Sequence, residues 1–421
     1  MNRYRRLITH HARLKFTCII AGLLIFLLST AGTSYAQRFV FKGKIKKDAL
    51  DFIQVKNLII IPIYINDKGP YNFLLDTGVG QMIITDTSFL SKLDMRQSKV
   101  VKVQGYGLGD EIEAILTRNV TVRVGKATIN NAPTAIFKED IFDLSSYLGV
   151  KIYGILGYYF FNSFVVKINY ETSRLTFYAP NAALKKKGTK IPIQILNGKP
   201  YMYAEVNSPT LPETKVRLLV DNGSSHPLML EALDNSPFPL PPLRIPANLG
   251  VGINGEIRGA MGRVANLKIE DFVFENVVAG FPQYDSKRNT IEGNSRNGTL
   301  GGDVLKHFLV TFDYENDAMY LKKTRSFNKK FEHDMSGLEL YTKQDKFNSF
   351  YIGRIEPGSS AEEAGLKTGD EILSINFKDV ENYSLNDLTE LFREGDGRQL
   401  IAQVLRKGER LIVVITLRRR I

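Results

Sequence analysis

Two short segments of the 421-residue sequence place an aspartate before a glycine at the end of an apolar run. Asp76 follows the apolar residues 73–75, and Asp221 follows the apolar residues 218–220. A glycine two residues later permits a tight turn, so each carboxylate is expected at the mouth of a buried strand. Two carboxylates held close together keep one proton between them, and one accepts a proton while the other donates one. The pattern predicts general acid and base chemistry by a coupled pair.

The two aspartates belong to a duplicated unit. They are 145 residues apart, and the glycine-rich segments 105–109 and 250–255 share that offset. The segments GILG at 154–157 and GTLG at 298–301 are 144 residues apart, as are the strand-like stretches that follow them. Three matched blocks in register indicate duplication. One loop from each copy could therefore meet at a pseudo-twofold axis.

Both copies have the composition of β-sheet. The stretches 58–65, 100–103, 120–124 and 164–168 are rich in β-branched and aromatic residues, and Gly, Asn, Asp and Pro separate them at close intervals. Long helical periodicities are scarce before residue 325. The sequence predicts two mostly β units of about 140 residues each.

Residues 76–80 (DTGVG), residues 154–157 and the matching arrangement from Asp221 onward resemble the aspartic proteases over roughly residues 55–325. The layout is the bilobal pepsin type, with short lobes closer to the retropepsin-like bacterial branch. The resemblance implies a bilobal acid-protease-like β-barrel pair, with lobes at residues 37–185 and 186–325. It also implies an endopeptidase with a water nucleophile, Asp76 and Asp221 as the catalytic dyad, a polypeptide substrate, and no metal or organic cofactor.

The same resemblance assigns supporting roles to residues around the dyad. Thr77 would cross-link the two loops beneath the carboxylates, and the GILG-type stretches would pass behind the loops. A β-hairpin flap would cover the substrate. The support residues are Thr77, Gly78, Asn222, Gly223, Ser224, Gly157 and Gly301, and the flap residues are Gly105, Tyr106 and Gly107.

The second copy departs from the family pattern. Asn222 stands where threonine or serine is usual, and Thr299 stands where an apolar residue is usual. An amide is larger than a hydroxyl, so we expect that Asn222 cannot make the symmetrical cross-link unchanged. Ser224 could donate a hydrogen bond to Asp221, whereas Val79 has no donor, so we expect Asp221 to be ionised and Asp76 protonated.

The last part of the chain resembles a bacterial PDZ domain. The pattern lies in residues 357–372 (PGSSAEEAGLKTGDEI), and Ser384 precedes an amphipathic stretch at 385–392. We place this small α+β domain at residues 337–421, after a polar linker at 326–336. The resemblance implies that a peptide or C-terminus binds beside residues 338–341, in a groove with Gly337, Leu338, Glu339 and Leu340. A packing or oligomerisation module is the alternative.

The N-terminus has the pattern of an export signal. Five basic residues precede an apolar run at 18–28, and small residues end at Ala36. We therefore expect a signal peptide at residues 1–36, an exported protein that is periplasmic or extracellular, and no membrane span after the signal is removed.

Composition excludes several other classes of function. The net charge is +12, but the first 36 residues account for five of these charges, and no basic stripe suited to nucleic acid follows. The only cysteine is Cys18, in the predicted signal, so thiol chemistry is excluded. His226, His307 and His333 lack metal-ligand spacing. The remaining alternative is an exported adaptor whose degenerate lobes bind peptides without cleaving them.

Overall fold

A computed structural model describes residues 37–421, except residues 97, 104–110, 254, 285–295 and 345. The fold is mostly β, as the sequence predicts, and residues 39–421 form one compact unit. Three regions follow one another along the chain: two similar β units and a smaller C-terminal module.

The first unit contains strands whose apolar residues alternate with polar ones or, in the central strands, are buried on both faces. Its short helices are α1 (Leu144–Leu148) and α2 (Tyr158–Phe161), with a 3₁₀ turn at Thr87–Ser91. The strands are β1 (Val40–Phe41), β2 (Lys47–Asp51), β3 (Ile53–Val55), β4 (Leu58–Ile65), β5 (Lys68–Leu75), β6 (Met82–Ile84), β7 (Lys99–Val103), β8 (Ile112–Thr117), β9 (Val122–Val124), β10 (Ala127–Ile129), β11 (Thr134–Phe137), β12 (Gly154–Leu156), β13 (Val165–Asn169) and β14 (Arg174–Tyr178).

The second unit repeats this arrangement. It contains α3 (Gly302–Leu305) and 3₁₀ turns at Tyr314–Asn316 and Arg325–Asn328. The strands are β15 (Thr189–Pro192), β16 (Gln194–Leu196), β17 (Lys199–Ser208), β18 (Leu211–Asp221), β19 (Leu228–Leu230), β20 (Ala232–Leu233), β21 (Ser236–Pro237), β22 (Arg244–Gly252), β23 (Gly255–Ile269), β24 (Phe272–Pro282), β25 (Gly298–Gly301), β26 (Phe308–Asp313) and β27 (Ala318–Lys323).

Strand order shows that the two units are structural copies. In the first sheet the order β4-β5-β12-β6-β11-β8-β7 has β3 beside β4, and in the second the order is β16-β17-β18-β25-β19-β24-β23-β22. The two orders match strand for strand when β3 is set against β16. The duplication read from the sequence is therefore a duplication of the fold.

A six-stranded antiparallel sheet joins the two units. Its order is β15-β27-β26-β13-β14-β2, and β13 pairs with β26, for example Val166 with Phe312. Three strands come from each side, so the pseudo-twofold axis passes between β13 and β26. One buried hydrophobic cluster runs through both units and includes Phe161, Phe312 and Leu321. The lobes therefore share a core, which fixes their relative position.

The C-terminal module is a small sheet with two helices. Ser384 caps the second helix through a reciprocal pair of hydrogen bonds with Asp387, as the sequence predicts. The sheet order is β28-β29-β30-β32-β33, with β31 beside β30. Its elements are β28 (Leu338–Lys343), β29 (Lys346–Ile355), α4 (Ser360–Glu363), β30 (Glu371–Ile375), β31 (Lys378–Asp379), a 3₁₀ turn (Val380–Asn382), α5 (Leu385–Arg393), β32 (Gln399–Arg406) and β33 (Glu409–Thr416).

This module is packed directly against the first unit. A second hydrophobic cluster contains Val55 and Leu148 of the first unit together with Leu340 and Phe392 of the module. The segment 326–336, expected to be a polar linker, contributes the buried residues Phe331, His333 and Met335. The segment is therefore part of the packed structure, because it buries apolar side chains that stand four residues apart among charged ones.

Edge strand β28 does not present a free edge along its whole length. Helix α1 packs against it, and the Thr342 hydroxyl donates to the Ser146 carbonyl at 3.2 Å. The rings of Tyr147 and Tyr341 lie 5.8 Å apart. Helix α1 therefore covers β28 at Thr342, directly after residues 338–341, beside which a peptide is expected to bind.

Within the described residues, no helix combines the length and the apolar character that crossing a membrane requires.

Asn386 provides a test of this packing. Its side chain accepts from the Lys56 amide at 3.0 Å and donates to the Gln54 carbonyl at 2.6 Å. Asn386→Ala leaves both groups without their partner, and we expect the free energy of unfolding to fall by about 1–3 kcal/mol. The exposed Glu390 lies on the same helix, and Glu390→Ala should change it by less than about 0.5 kcal/mol. Equal effects in denaturant titrations would contradict this packing.

Candidate active site

Asp76 and Asp221 occupy equivalent positions at the ends of central strands. Strand β5 ends at Leu75 and runs parallel to β12, and the Asp76 amide donates to the Leu156 carbonyl at 2.9 Å. Strand β18 ends at Asp221 and runs parallel to β25, where Asp221 is opposite Gly301. Both carboxylates are partly exposed above buried strands, which is the arrangement expected from the apolar run before each aspartate.

The glycines of the GILG and GTLG segments are required by close backbone contacts. A Cβ on Gly157 would lie 2.0 Å from the Val79 carbonyl oxygen, and one on Gly301 would lie 1.9 Å from the His226 carbonyl oxygen. These distances are far shorter than any van der Waals contact. The two glycines therefore allow the strands behind the two aspartates to pack against the loops that carry them, in the positions that the family resemblance implied.

The glycine of each loop faces the carboxylate of the other loop. The Gly78 amide donates to Asp76 Oδ1 at 2.6 Å, and the Gly223 amide donates to Asp221 Oδ1 at 2.9 Å. A Cβ on Gly78 would lie 2.8 Å from Asp221 Oδ2, and one on Gly223 would lie 2.3 Å from Asp76 Oδ2. The structure thus brings the two carboxylates together across the pseudo-twofold axis.

Thr77 and Asn222 cross-link the two loops beneath the carboxylates, and both are fully buried. The Thr77 amide donates to Asn222 Oδ1 at 2.7 Å, and the Asn222 amide donates to Thr77 Oγ1 at 3.1 Å. The Thr77 hydroxyl donates to the Val220 carbonyl at 2.8 Å, and Asn222 Nδ2 donates to the equivalent Leu75 carbonyl at 2.8 Å. Each side chain therefore accepts from one backbone amide and donates to one backbone carbonyl of the opposite loop, at equivalent positions in the two loops.

Asn222 does not make the cross-link with the same atoms as a hydroxyl, as expected, yet it bonds the equivalent backbone groups. A hydroxyl both accepts and donates through one oxygen, whereas an amide divides these tasks between Oδ1 and Nδ2. The longer side chain places the oxygen on the Thr77 amide and the nitrogen on the Leu75 carbonyl. The substitution therefore preserves every backbone contact of the cross-link.

Burial and mutual repulsion dominate the electrostatics of the dyad. Loss of solvent raises the pKa of Asp76 well above its ordinary value, and the negative charge of Asp221 raises this pKa further. A hydrogen bond between the two carboxyl groups acts in the same direction, while the Gly78 amide and Lys199 oppose it. The pair can therefore hold a proton at a pH at which an isolated aspartate is ionised.

The hydrogen bond from Ser224 that we expect to keep Asp221 ionised is not found among the described contacts. The Ser224 hydroxyl makes no hydrogen bond to Asp221 in the described residues, and the Ser224 amide instead donates to the Asp221 carbonyl at 3.2 Å. Thr299, the other departure, lies on β25 with its hydroxyl 3.4 Å from Glu231 Oε1. The predicted flap residues Gly105, Tyr106 and Gly107 lie outside the described residues.

Two residues near the dyad, Lys199 and Tyr314, were not predicted as site residues from the sequence. Lys199 begins β17, and its positive charge lowers the pKa of Asp76. Tyr314 is buried, and its hydroxyl has no hydrogen-bond partner among the described residues. Burial and the charges of Asp76 and Asp221 raise the Tyr314 pKa well above its ordinary value. The second repeat places a tyrosine at 314 opposite Tyr170 of the first, which was the available clue.

Over the part of the chain that the structure describes, no group of three or more His, Cys, Asp or Glu side chains is arranged to hold a metal ion. His226 Nε2 donates to the Leu249 carbonyl, and His307 Nδ1 donates to the Phe327 carbonyl.

Comparison with known proteins gives two family matches. Residues 61–160 match an aspartyl protease family, and residues 326–400 match the PDZ domain family. An aspartic proteinase from Irpex lacteus is similar in structure, with a TM-score of 0.40 and 12% sequence identity over 67% of this chain and 99% of that one. No curated protein matches the chain.

The contribution of Asn222 to the cross-link can be tested by removing its hydrogen-bond donor and acceptor. Asn222→Ala leaves the buried Thr77 amide and Leu75 carbonyl without partners, so we expect a loss of about 1–3 kcal/mol of folding free energy for each group. Asn222→Thr supplies a hydroxyl that can serve both and should retain most of the stability. Asn348→Ala, at an exposed asparagine, is the control. Denaturant unfolding would refute the cross-link if the alanine variant matched this control.

The raised pKa of Asp76 makes its charge unfavourable in the folded state. The pKa of Asp76 in the folded protein lies above the ordinary value of 3.8. Ionisation of Asp76 therefore destabilises the fold at any pH above the folded pKa, and this penalty is absent below pH 3.8, where the carboxyl is protonated in both states. Asp76→Asn should therefore be more stable than the wild type at pH 7, and the difference should disappear as the pH falls below about 3.8.

Asparagine can still accept from the Gly78 amide, so this change removes mainly the charge. The control is Asp67→Asn, at an exposed aspartate in the β4–β5 turn. Unfolding free energies at several pH values would disprove the expected shift if Asp76→Asn gave no pH-dependent difference from the wild type.

Proposed function

Because residues 61–160 match the aspartyl protease family and residues 326–400 match the PDZ domain family, we propose that this chain is an endopeptidase. Asp76 and Asp221 would activate a water that attacks the peptide bond. The observation that carries the proposal is the close approach of the two carboxylates, each against the glycine of the opposite loop. Two carboxylates in this relation are suited to acid and base catalysis without a covalent intermediate.

In the proposed mechanism the raised pKa of Asp76 decides the assignment of roles. Asp221 takes a proton from the water, whose oxygen forms a bond to the carbonyl carbon of the substrate. Asp76 gives its proton to the carbonyl oxygen, so the tetrahedral intermediate is neutral. The proton held by Asp221 then passes to the leaving nitrogen as the C–N bond breaks, and Asp76 regains its proton from the collapsing diol. The dyad ends in its starting state.

The buried cross-link would keep this geometry fixed during the reaction. Thr77 and Asn222 tie the loops to each other through backbone groups on both sides. Preorganised groups need little rearrangement at the transition state. Lys199 and the loop amides would stabilise the single negative charge that the pair carries.

The proposal also includes export and a polypeptide partner. The basic, apolar and small-residue pattern of residues 1–36 supports a signal peptide and a periplasmic or extracellular location. The PDZ family match supports a module that binds peptides. The groove residues Gly337, Leu338 and Leu340 lie beside a cavity shared with the protease lobes.

Cleavage of an unfolded protein and of a mixed peptide library, between about pH 3 and pH 8, tests the proposal. Asp76→Asn and Asp221→Asn should each reduce the rate at least about 100-fold, because each removes one proton-transfer group. Asp67→Asn, which changes an exposed aspartate, should cut at the wild-type rate. If the wild type binds peptides without cutting them, the chain is an adaptor; if the dyad variants cut normally, the catalytic assignment is wrong.

A further inference from the structure

A two-residue turn of the first lobe lies against the loop that carries Asp221. The turn consists of residues 56–57 and joins β3 to β4. A Cβ on Gly302, which follows β25 behind the loop, would lie 2.8 Å from the Asn57 carbonyl oxygen and 3.2 Å from the Ser224 carbonyl oxygen. The turn and the loop therefore approach each other so closely that Gly302 leaves no room for a side chain.

The side chain of Asn57 bonds the loop directly. Asn57 Nδ2 donates to the Ser225 carbonyl at 3.0 Å, and Asn57 Oδ1 accepts from Lys306 Nζ at 3.0 Å. Lys306 also pairs with the buried Asp303. Only 8% of Asn57 is exposed, so its amide depends on these protein groups. Because Lys306 holds the amide oxygen, the amide nitrogen is directed at Ser225, four residues after Asp221.

The other half of the pseudo-twofold arrangement lacks this contact. The equivalent turn, residues 197–198, joins β16 to β17 and has Gly198 at the position of Asn57. The residue equivalent to Ser225 is Gly80, at the same 145-residue offset as the aspartates. Gly198 has no side chain to donate to the Gly80 carbonyl. The amide contact therefore holds the Asp221 loop and has no equivalent at the Asp76 loop.

The C-terminal module holds the same turn from its other side. Asn386 of α5 accepts from the Lys56 amide at 3.0 Å and donates to the Gln54 carbonyl at 2.6 Å. Lys56 and Asn57 have left-handed backbone conformations, with φ of 47° and 68°. Asparagine is enriched in this conformation, but it is unfavourable for lysine. The bonds from Asn386 therefore stabilise the backbone that directs Asn57 towards Ser225.

We propose that Asn57 and Asn386 are positioning residues for the Asp221 loop, so that the C-terminal module is a structural part of the active site. This inference rests on the proposed function, because it concerns the placement of a carboxylate in the proposed hydrolysis. Helix α5 fixes the turn at residues 56–57, and Asn57 then fixes the Ser225 carbonyl at the end of the loop. A misplacement of about 1 Å at a reacting group can lower a rate about 100-fold.

Steady-state cleavage of a peptide that the wild type cuts tests the role of Asn57. Asn57→Gly removes both side-chain bonds and suits the φ of 68°, so the turn keeps its backbone conformation. We expect kcat to fall about tenfold and KM to change less than about twofold, because the change displaces a reacting group. Asn235→Gly is the matched control. Asn235 is exposed in the β20–β21 turn with φ of 60°, and this variant should cut at the wild-type rate.

Asn57→Asp is a second variant of the same contact. It keeps the hydrogen bond from Lys306 and loses only the donor to Ser225, so it should show the same split between kcat and KM if the glycine variant does not fold. Denaturant titrations establish that each variant is folded in the assay. An unchanged kcat in the folded Asn57 variants, or a rise in KM alone, would overturn the positioning role.

A double-mutant cycle tests whether the module acts through Asn57. Asn386→Ala should lower kcat about fivefold in the wild type and less than about twofold in the Asn57→Gly background, because the turn has then already lost its contact with Ser225. Effects that multiply in the double variant would overturn this route from the module to the loop.

A titration of ¹³C-labelled aspartate carboxyls gives a readout that needs no cleavage. Asn57→Gly should bring the two titration steps of the dyad closer together, because the Asp221 carboxylate is held less firmly against Asp76. Asn235→Gly should leave both steps in place. If the wild type cuts no peptide, the proposed function fails, and this titration alone decides the positioning role. Identical steps in the wild type and in Asn57→Gly would overturn it.

Discussion

Two carboxylates placed against each other in a partly buried site repel, and the fold must supply the force that keeps them there. The Thr77–Asn222 cross-link supplies it, since four buried hydrogen bonds join the loops just beneath Asp76 and Asp221. Unpaired, these buried groups would each cost about 1–3 kcal/mol. The loops can therefore separate only by exposing several polar groups at once, which is why the unfavourable pair is maintained.

The surrounding strands position the two loops that the cross-link joins. Strands β5 and β18 bring the aspartates to the axis, and β12 and β25 pass behind them where only glycine fits. The six-stranded sheet below joins the lobes through β13 and β26, so a displacement of one loop would have to move a whole lobe. The resulting site raises the pKa of Asp76, and that shift would provide the proton donor that the proposed hydrolysis requires.

Sequence patterns predicted the parts of this structure that local chemistry determines. The strand predicted at 58–65 is β4, with the same first and last residues, and Ser384 caps α5 as predicted. The repeat offset identified both aspartates and the glycines of the strands behind them. The role of Asn222 could not be read in the same way. Whether an amide fits depends on the distance to Leu75 of the other lobe, and residue type alone does not give that distance.

The C-terminal module shows the same limit. Its family pattern was evident, yet the covering of β28 by α1 depends on packing between residues about 200 positions apart, such as Ser146 and Thr342. Polar composition suggested a linker at 326–336, whereas Phe331 and Met335 anchor it in the core. Lys56 carried no signal at all, because a lone lysine in a turn is ordinary and only the assembled structure places it in a cavity with residues of the C-terminal module.

The most direct test of the central claim is a titration of the dyad by ¹³C NMR of labelled aspartate carboxyl carbons, read by comparing the wild type with Asp76→Asn and Asp221→Asn. If the cross-link holds the carboxylates in contact, the pair will titrate as a coupled unit, with one step well above the ordinary aspartate value of 3.8 that disappears in either variant. Two independent titrations near the ordinary value would show that the carboxylates do not share a proton, and would contradict the account.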